Sequence, residues 1–255
     1  LQKATKILAE SRSAVAMTGA GLSTESGIPD FRSPGGIWAH MDQKDFTYRY
    51  YVNDIESRIR YWKTTPQMYK RYKEALPHAG QQAFAELHRG GAIRQLITQN
   101  TDGMHQKAGY PKCDLIEIHG NSHWVKCLDC INRESRDSVN ERVARGELPP
   151  YCQNCGGIQK TDVVFFGEGI PPNLMKPATQ WANNADVFLV VGTSLVVQPV
   201  ANLPSRAKSR GSRLIILNQE ETPLDAQADV ILKGRAGEIL PQLAKAVLSE
   251  RQASI

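Results

Sequence analysis

The sequence predicts an α/β chain, a doubly wound parallel sheet with a smaller domain carried on two insertions. Three observations predict it. Apolar runs of strand length recur, several of them continuous (Val-Phe-Leu-Val-Val at 187–191, Leu-Ile-Ile-Leu at 214–217), as in strands covered on both faces. Helix-length stretches separate these runs, which is the alternation of right-handed crossover units. Two regions, 46–76 and 122–160, break that alternation.

Residues 1–12 mix Lys, Glu and Ser with apolar residues and read as a short amphipathic helix. The strand-like runs are 14–17, 93–98, 115–118, 163–166, 187–191, 214–217 and 230–232, and the helix-like stretches are 80–88, 172–184, 200–210 and 238–248. Region 46–76 is helical in pattern and rich in aromatics. Region 122–160 is polar, lacks an apolar core of its own and holds four of the five cysteines. Such sheets bind ligands beyond the carboxyl ends of their strands, so the loops that follow strands are where chemistry is expected.

Bulk properties exclude several classes. At 255 residues and 41% hydrophobic content the chain can bury a large core and a small one, and no window approaches a membrane span. The net charge of +5 is mild and its basic residues are scattered. Their densest stretch, Arg58 to Lys73, with Tyr61, Trp62, Tyr69 and Tyr72 among them, reads as a solvated helical face, and no direct nucleic-acid binding is expected. The N-terminal stretch has no signal-peptide core, and the cysteine spacing does not suit a disulfide framework. An intracellular, cytoplasmic chain is expected.

The loop after the first strand begins Thr18-Gly19-Ala20-Gly21-Leu22-Ser23 and runs through Gly27-Ile28-Pro29-Asp30-Phe31-Arg32. Glycines directly after a strand let the backbone approach a pyrophosphate. A hydride-transferring dehydrogenase would need Gly-x-Gly-x-x-Gly opening an uninterrupted helix, whereas here the third position is Thr24 and Gly27 and Pro29 stop any helix. The second strand ends in Thr98-Gln99-Asn100-Thr101-Asp102, polar side chains expected on the same rim, with Asp102 also able to cap a helix. Residues 115–118 then lead into His119-Gly120. A histidine on the rim that holds the other two loops suits proton abstraction from a sugar hydroxyl, whereas His40, His78, His88 and His123 are expected to be structural or on the surface. His105 is expected to face the helix that follows its motif, and Cys113 stands alone as a small semi-buried residue.

Cys127-x-x-Cys130 and Cys152-x-x-Cys155 have the spacing of a zinc ribbon. Four thiolates close a tetrahedral site, so one structural Zn2+ per chain is expected. Later strands are followed by Gly192-Thr193-Ser194-Leu195-Val196-Val197, then Asn218-Gln219-Glu220, then Gly234-Arg235-Ala236, small and amide-bearing residues suited to an adenosine moiety.

In order, and across almost the whole chain, these segments resemble the sirtuin family: Gly19-Ala-Gly-x-Ser23, Gly27-Ile-Pro-Asp-Phe-Arg32, Thr98-Gln-Asn-x-Asp102, His119-Gly120, the paired cysteines, Val164-Phe-Phe-Gly-Glu168, Gly192-Thr-Ser194 and Asn218-x-Glu220. The resemblance implies a Rossmann-like NAD-binding domain (1–45, 77–121 and 161–255) and a small domain of the helical insertion and the zinc ribbon. It implies NAD contacts from Gly19, Ala20, Gly21, Ser23, Ile28, Asp30, Phe31 and Arg32. Gln99, Asn100 and Asp102 would hold the nicotinamide ribose and carboxamide, Asn100 and Asp102 serving catalysis with His119. Gly192, Thr193, Ser194, Asn218, Gln219, Glu220 and Ala236 would hold the adenosine end. Val164, Phe165, Phe166 and Gly167, with Leu195, Val196 and Val197, would pair with an extended acetyl-lysine peptide as an added strand.

The implied activity is NAD-dependent protein-lysine deacetylation. The acyl oxygen attacks C1′ of the nicotinamide ribose, His119 deprotonates a ribose hydroxyl, and the products are lysine, nicotinamide and O-acetyl-ADP-ribose. Two other classes stay open: an NAD glycohydrolase or mono-ADP-ribosyltransferase, and an NAD-sensing interaction module without turnover. One departure from the family pattern is Thr101, where Ile or Val is common. The Tyr-x-x-Arg clamp of sirtuins that remove acidic acyl groups is absent from 46–76.

Overall fold

The computed structural model describes residues 1–253. In chain order its regular elements are α1 (Gln2–Ala9), β1 (Val15–Thr18), α2 (Tyr48–Asn53), α3 (Ile55–Glu74), α4 (Ala79–Arg89), β2 (Gln95–Thr98), α5 (Met104–Lys107), β3 (Leu115–Glu117), β4 (Gly120–Cys127), β5 (Arg133–Ser135), α6 (Arg136–Ala144), β6 (Gln159–Val163), α7 (Pro172–Asn184), β7 (Val187–Val191), α8 (Leu203–Ser209), β8 (Arg213–Asn218), β9 (Val230–Lys233) and α9 (Ala236–Ala253).

Six strands form a parallel sheet in the order β3-β2-β1-β7-β8-β9. The continuous apolar runs serve both faces by alternation. Ala16, Leu189, Val191, Ile215 and Leu217 pack with α1, α4 and α9 through Leu8, Phe84, Leu240 and Leu243. Val15, Met17, Phe188, Val190, Leu214 and Ile216 pack on the other face with α7 and α8 through Ala178, Ala182, Leu203 and Ala207. Strand order reverses between β1 and β7, which opens a crevice at their carboxyl ends.

The two insertions meet in one place. The chain from β4 to β6 makes a three-stranded antiparallel sheet, β5-β4-β6. Its Val125 and Val139 pack against Tyr51, Tyr61 and Trp62 of α2 and α3, with Phe165 completing the cluster. Buried ring polar atoms are satisfied: Trp62 Nε1 donates to Tyr51 Oη (2.7 Å), which donates to the Gln159 carbonyl (2.6 Å). The polar region therefore borrows its core from the helical one.

One expected strand is absent from the parallel sheet. Residues 163–166 do not join it; β6 ends at Val163 and belongs to the small antiparallel sheet. Beyond it, Val164 N donates to the His119 carbonyl (2.8 Å) and Phe166 N to the Phe46 carbonyl (2.9 Å). The apolar run is explained by Phe165 entering the aromatic cluster. Stretch 200–210 also divides, into a single 3₁₀ turn and α8.

Candidate active site

A cleft of about 690 Å³ occupies the crevice. Its walls come from the loops after β1, β2, β3, β7 and β8, and from the segment after β6.

His119 stands between β3 and β4, half-buried, on the cleft wall. Its Nδ1 lies 3.2 Å from the Gln99 carbonyl. A carbonyl only accepts, so Nδ1 carries the proton and Nε2 holds the lone pair. Burial holds the imidazole below its ordinary pKa, with the bond to Gln99 opposing. His119 is thus a neutral base at neutral pH.

Asn100 has little freedom. Its Nδ2 donates to the Gly19 carbonyl (3.0 Å) and to Ser23 Oγ (3.2 Å), which leaves Oδ1 as its open acceptor. Ser23 Oγ also accepts from Gln81 Nε2 (3.2 Å) and donates to Asp102 Oδ2 (2.7 Å). A hydroxyl with one proton and two lone pairs is then saturated. Asp102 is fully engaged as well, its Oδ1 accepting from Met104 N (2.9 Å) at the start of α5. Burial raises its pKa, and the bonds from Met104 N and Ser23 counter this. Ser23 and Asp102 therefore position Asn100, and Asp102 is also the cap that the sequence allowed. Both face a small recess of about 20 Å³ that adjoins the cleft, with Ile28, Phe31 and Thr101.

The glycines after β1 serve a close approach of backbones. Gly19 N donates to the Val191 carbonyl (3.1 Å) and Gly21 N to the Gly192 carbonyl (2.9 Å). A Cβ at Gly19 would lie 2.6 Å from Thr193 Cβ, and one at Gly192, where φ is +63°, would lie 2.4 Å from Leu22 N. Their smallness seats one loop on the other, with Ala20 on the cleft wall between them. Across the cleft, Gln99 Nε2 donates to Thr193 Oγ1 (3.0 Å) and Arg32 Nη1 approaches Ser194 Oγ (3.5 Å). Asp30 Oδ1 accepts from the amides of Arg32 (3.0 Å) and Ser33 (2.8 Å), which folds that loop. Asn218, Gln219 and Glu220 line the far end.

Three expected contacts fall elsewhere. Ala236 opens α9, is buried in the core beside the sheet and is not among the residues lining the cleft. Leu195 points into the core at φ 55°, and Val196 is exposed, so only Val197 of that trio reaches the cleft wall. Val164, Phe165, Phe166 and Gly167 all reach it. The sequence reading missed Gln81 and the aromatic mouth, where Trp38 packs in tilted and edge-on contacts with Phe31 (5.3 Å), Phe46 (5.3 Å) and Phe166 (5.8 Å). Gln81 sits outside every motif, but the aromatics clustered at 31–51 were a readable signal. His105 lies on the helix that follows its motif rather than facing it, and turns toward β1: its Nε2 meets Thr18 Oγ1 at 2.9 Å, and burial holds its pKa down to about 3.

The model of the Sir2 family matches residues 19–199. The chain belongs to the Sir2 family. An NAD-dependent protein deacetylase of Thermodesulfovibrio yellowstonii is 39% identical over 98% of this chain and 96% of its own. A crystallised Sir2 homologue in complex with NAD superposes with a TM-score of 0.86, at 37% identity, covering 99% of this chain and 94% of that one. A Sir2 holding a deacetylated p53 peptide and 3′-O-acetyl ADP-ribose superposes with a TM-score of 0.87, at 32% identity, covering 98% and 97%.

As in the paired cysteine motif, the four sulfurs of this Sir2 member converge. Cys127, Cys130, Cys152 and Cys155 place their Sγ atoms within 4.8 Å of one another. Cys127 and Cys155 are 3.6 Å apart and Cys130 and Cys152 3.7 Å. A Zn–S bond of about 2.3 Å gives a tetrahedral edge of about 3.8 Å, whereas a disulfide needs about 2.05 Å. The donor set fits zinc. Asp129 N donates to Cys127 Sγ (3.3 Å) and Asn132 Nδ2 to Cys152 Sγ (3.5 Å), the bonds thiolate ligands receive. No helix among the described residues is long and apolar enough to cross a membrane.

Proposed function

We propose that the chain is an NAD-dependent protein-lysine deacetylase that transfers the acetyl group of acetyl-lysine to ADP-ribose, with release of nicotinamide and O-acetyl-ADP-ribose. One observation carries this reading: His119 keeps the lone pair of Nε2 in the cleft that Asn100 also lines, next to a small recess walled by Ile28 and Phe31. NAD, as co-substrate, supplies the glycosidic carbon that accepts the acyl oxygen when nicotinamide leaves. The residues do the rest. Asn100 Oδ1, fixed through Gly19 and Ser23, accepts a hydrogen bond from the nicotinamide ribose or from water. His119 Nε2 takes the proton of a ribose hydroxyl, which turns that oxygen into the nucleophile that completes acyl transfer. Phe31, Trp38 and Phe166 exclude water from the mouth.

The far end, with Ser194, Asn218, Gln219 and Glu220, suits the adenosine half, and Arg32 gives a cation to the diphosphate. Gly19, Ala20, Gly21, Asp30, Gln99, Gly192 and Thr193 shape the wall between. Val164, Phe165, Phe166 and Gly167, with Val197 opposite, suit an extended peptide. In the same reading 1–45, 77–121 and 161–255 form the NAD-binding domain. Residues 46–76 and 122–160, with zinc on the four cysteines, form the small domain, a division supported by their shared aromatic cluster. Free thiolate ligands suit a reducing compartment, which supports the cytoplasm as the location in this reading.

Mass spectrometry of the protein with NAD and an acetyl-lysine peptide tests the proposal. Equal amounts of deacetylated peptide, nicotinamide and O-acetyl-ADP-ribose are expected. NAD consumption without peptide deacetylation, or no turnover at all, overturns it.

A further inference from the structure

Lys160 is fully buried in β6, an unusual place for an ammonium group. Its Nζ donates to Glu168 Oε2 (2.9 Å), to the Thr161 carbonyl (3.2 Å) and to the Val163 carbonyl, and lies 4.3 Å from the centre of the Phe165 ring. Glu168 Oε2 accepts a second bond, from Phe165 N (2.9 Å). Between these anchors Glu168 N donates to the Phe165 carbonyl (3.0 Å), and Gly167 supplies the left-handed φ of +77° at the third position of that turn. One carboxylate therefore ties both ends of the Phe165–Glu168 turn, and one buried cation neutralises it. The outer oxygen of Glu168 faces Lys126 at 3.6 Å, and Glu168 itself lines the cleft.

We propose that the Lys160–Glu168 pair is the positioning device for the acyl-peptide substrate, holding Val164, Phe165 and the turn through Gly167 in the backbone shape on which the peptide pairs. The inference rests on the proposed deacetylase function and adds two positioning residues to it. A hydrophobic pair of equal volume would fill the same space, so packing alone does not call for a buried charge here. A charge-assisted bond fixes the direction of Glu168 and, through it, the Phe165 amide and the turn. An added strand gains its affinity from main-chain bonds, which makes it sensitive to that backbone and tolerant of side-chain sequence. The NAD-facing loops lie on other strand ends and make no bond to this pair among the contacts described above.

The test separates the peptide from the co-substrate. Lys160→Met keeps the apolar stem against Phe165 and removes the charge. Steady-state kinetics should show peptide KM raised about tenfold or more with kcat and the KM for NAD within about threefold, the signature of lost substrate positioning. One zinc per chain confirms that the variant is folded. An unchanged peptide KM, or parallel loss of NAD binding, overturns the proposal while leaving the deacetylase reading intact. Absence of deacetylation by the unmodified protein removes both.

A second measurement needs no variant. Burial brings the pKa of Lys160 down to about 8, against the opposing pull of Glu168, while Lys126 lowers it and Asp162 raises it. With a peptide lacking ionisable side chains, peptide KM should rise as pH rises through about 8, where Lys160 loses its proton, with no matching change in the KM for NAD. A flat peptide KM across that range counts against the clamp.

Discussion

The parallel sheet and the cysteine-bearing region reach stability by different means. In the sheet, Leu, Ile, Val and Ala from both faces fill two apolar layers, each buried aliphatic side chain contributing about 1.5–3 kcal/mol. Of the polar groups buried there, Thr18, Thr98, Asn100, Asp102 and His105 cluster at the carboxyl ends of the strands that meet the cleft. In the other region the buried charges are structural. Arg136 stacks over Trp62 (4.4 Å) and donates to Thr65, Arg142 pairs with Glu134 and Glu147, and Lys160 pairs with Glu168. A generic apolar core can hold a site at its rim, whereas a small polar region needs directed contacts and a metal to take one shape.

The largest expected effect breaks the rim of the sheet. His119→Ala should reduce deacetylation by about three orders of magnitude or more and leave NAD binding within about tenfold, because a base acts in the transition state more than in ground-state binding. Isothermal titration with NAD beside turnover assays checks it. Loss of NAD binding with turnover intact at saturating NAD would sink the assignment of His119.

Next comes the metal. Replacing any of Cys127, Cys130, Cys152 or Cys155 by Ser should unfold β4 to β6 while the parallel sheet persists, since zinc on four thiolates is worth roughly 10–16 kcal/mol in small domains. Metal analysis should find one zinc per chain in the unmodified protein, and limited proteolysis of the variants should cut within 122–160 first. A metal-free variant that resists the protease and keeps full activity would refute the claim.

The same contrast explains what the sequence made legible. Continuous apolar runs such as 187–191 and 214–217 have no other good use than a doubly covered strand, so the sheet was readable from them. The run at 163–166 is as apolar, but Phe165 is drawn into the aromatic cluster and the amides bond to single carbonyls of His119 and Phe46. Composition cannot distinguish those fates. β4 and β6 escaped notice for the converse reason: they carry few apolar residues, and the buried run of β6 is Gln159-Lys160-Thr161. Motifs located His119, Asn100 and the cysteines. They could not show that the Ser23 hydroxyl is saturated by protein partners, which depends on Gln81, Asn100 and Asp102 arriving from other elements.

A smaller effect is expected on acyl choice. Among the described residues that line the cleft the only Lys or Arg is Arg32, beside Ser194. At the mouth of the small region the walls are Phe46, Tyr61, Met68 and Tyr72. An acyl carboxylate placed there would lack a cationic partner, at several kcal/mol. Acetyl-lysine peptides should therefore turn over faster than matched succinyl-lysine peptides at saturating NAD, and faster removal of succinyl would show the reading to be wrong.

The smallest effect lies on the seam between the two regions. Thr101 belongs to the loop after β2, and Ser122 to the first strand of the small sheet. They are joined twice, by Ser122 N to the Thr101 carbonyl (2.9 Å) and by Ser122 Oγ to Thr101 Oγ1 (2.8 Å). Thr101→Val keeps the shape and the backbone bond but takes away the hydroxyl acceptor. Ser122 is nearly buried, so its orphaned hydroxyl should cost about 1 kcal/mol of stability, read as a lower midpoint in urea with an unchanged slope. Thr101 also lines the small recess beside Asn100 and Asp102, the residues expected to hold the nicotinamide ribose and carboxamide, so the inhibition constant for nicotinamide should move by about fivefold or less while the KM for the peptide stays put. Equal shifts in both would mean that the seam transmits the change to the peptide side, and that the two regions are less independent than their packing implies.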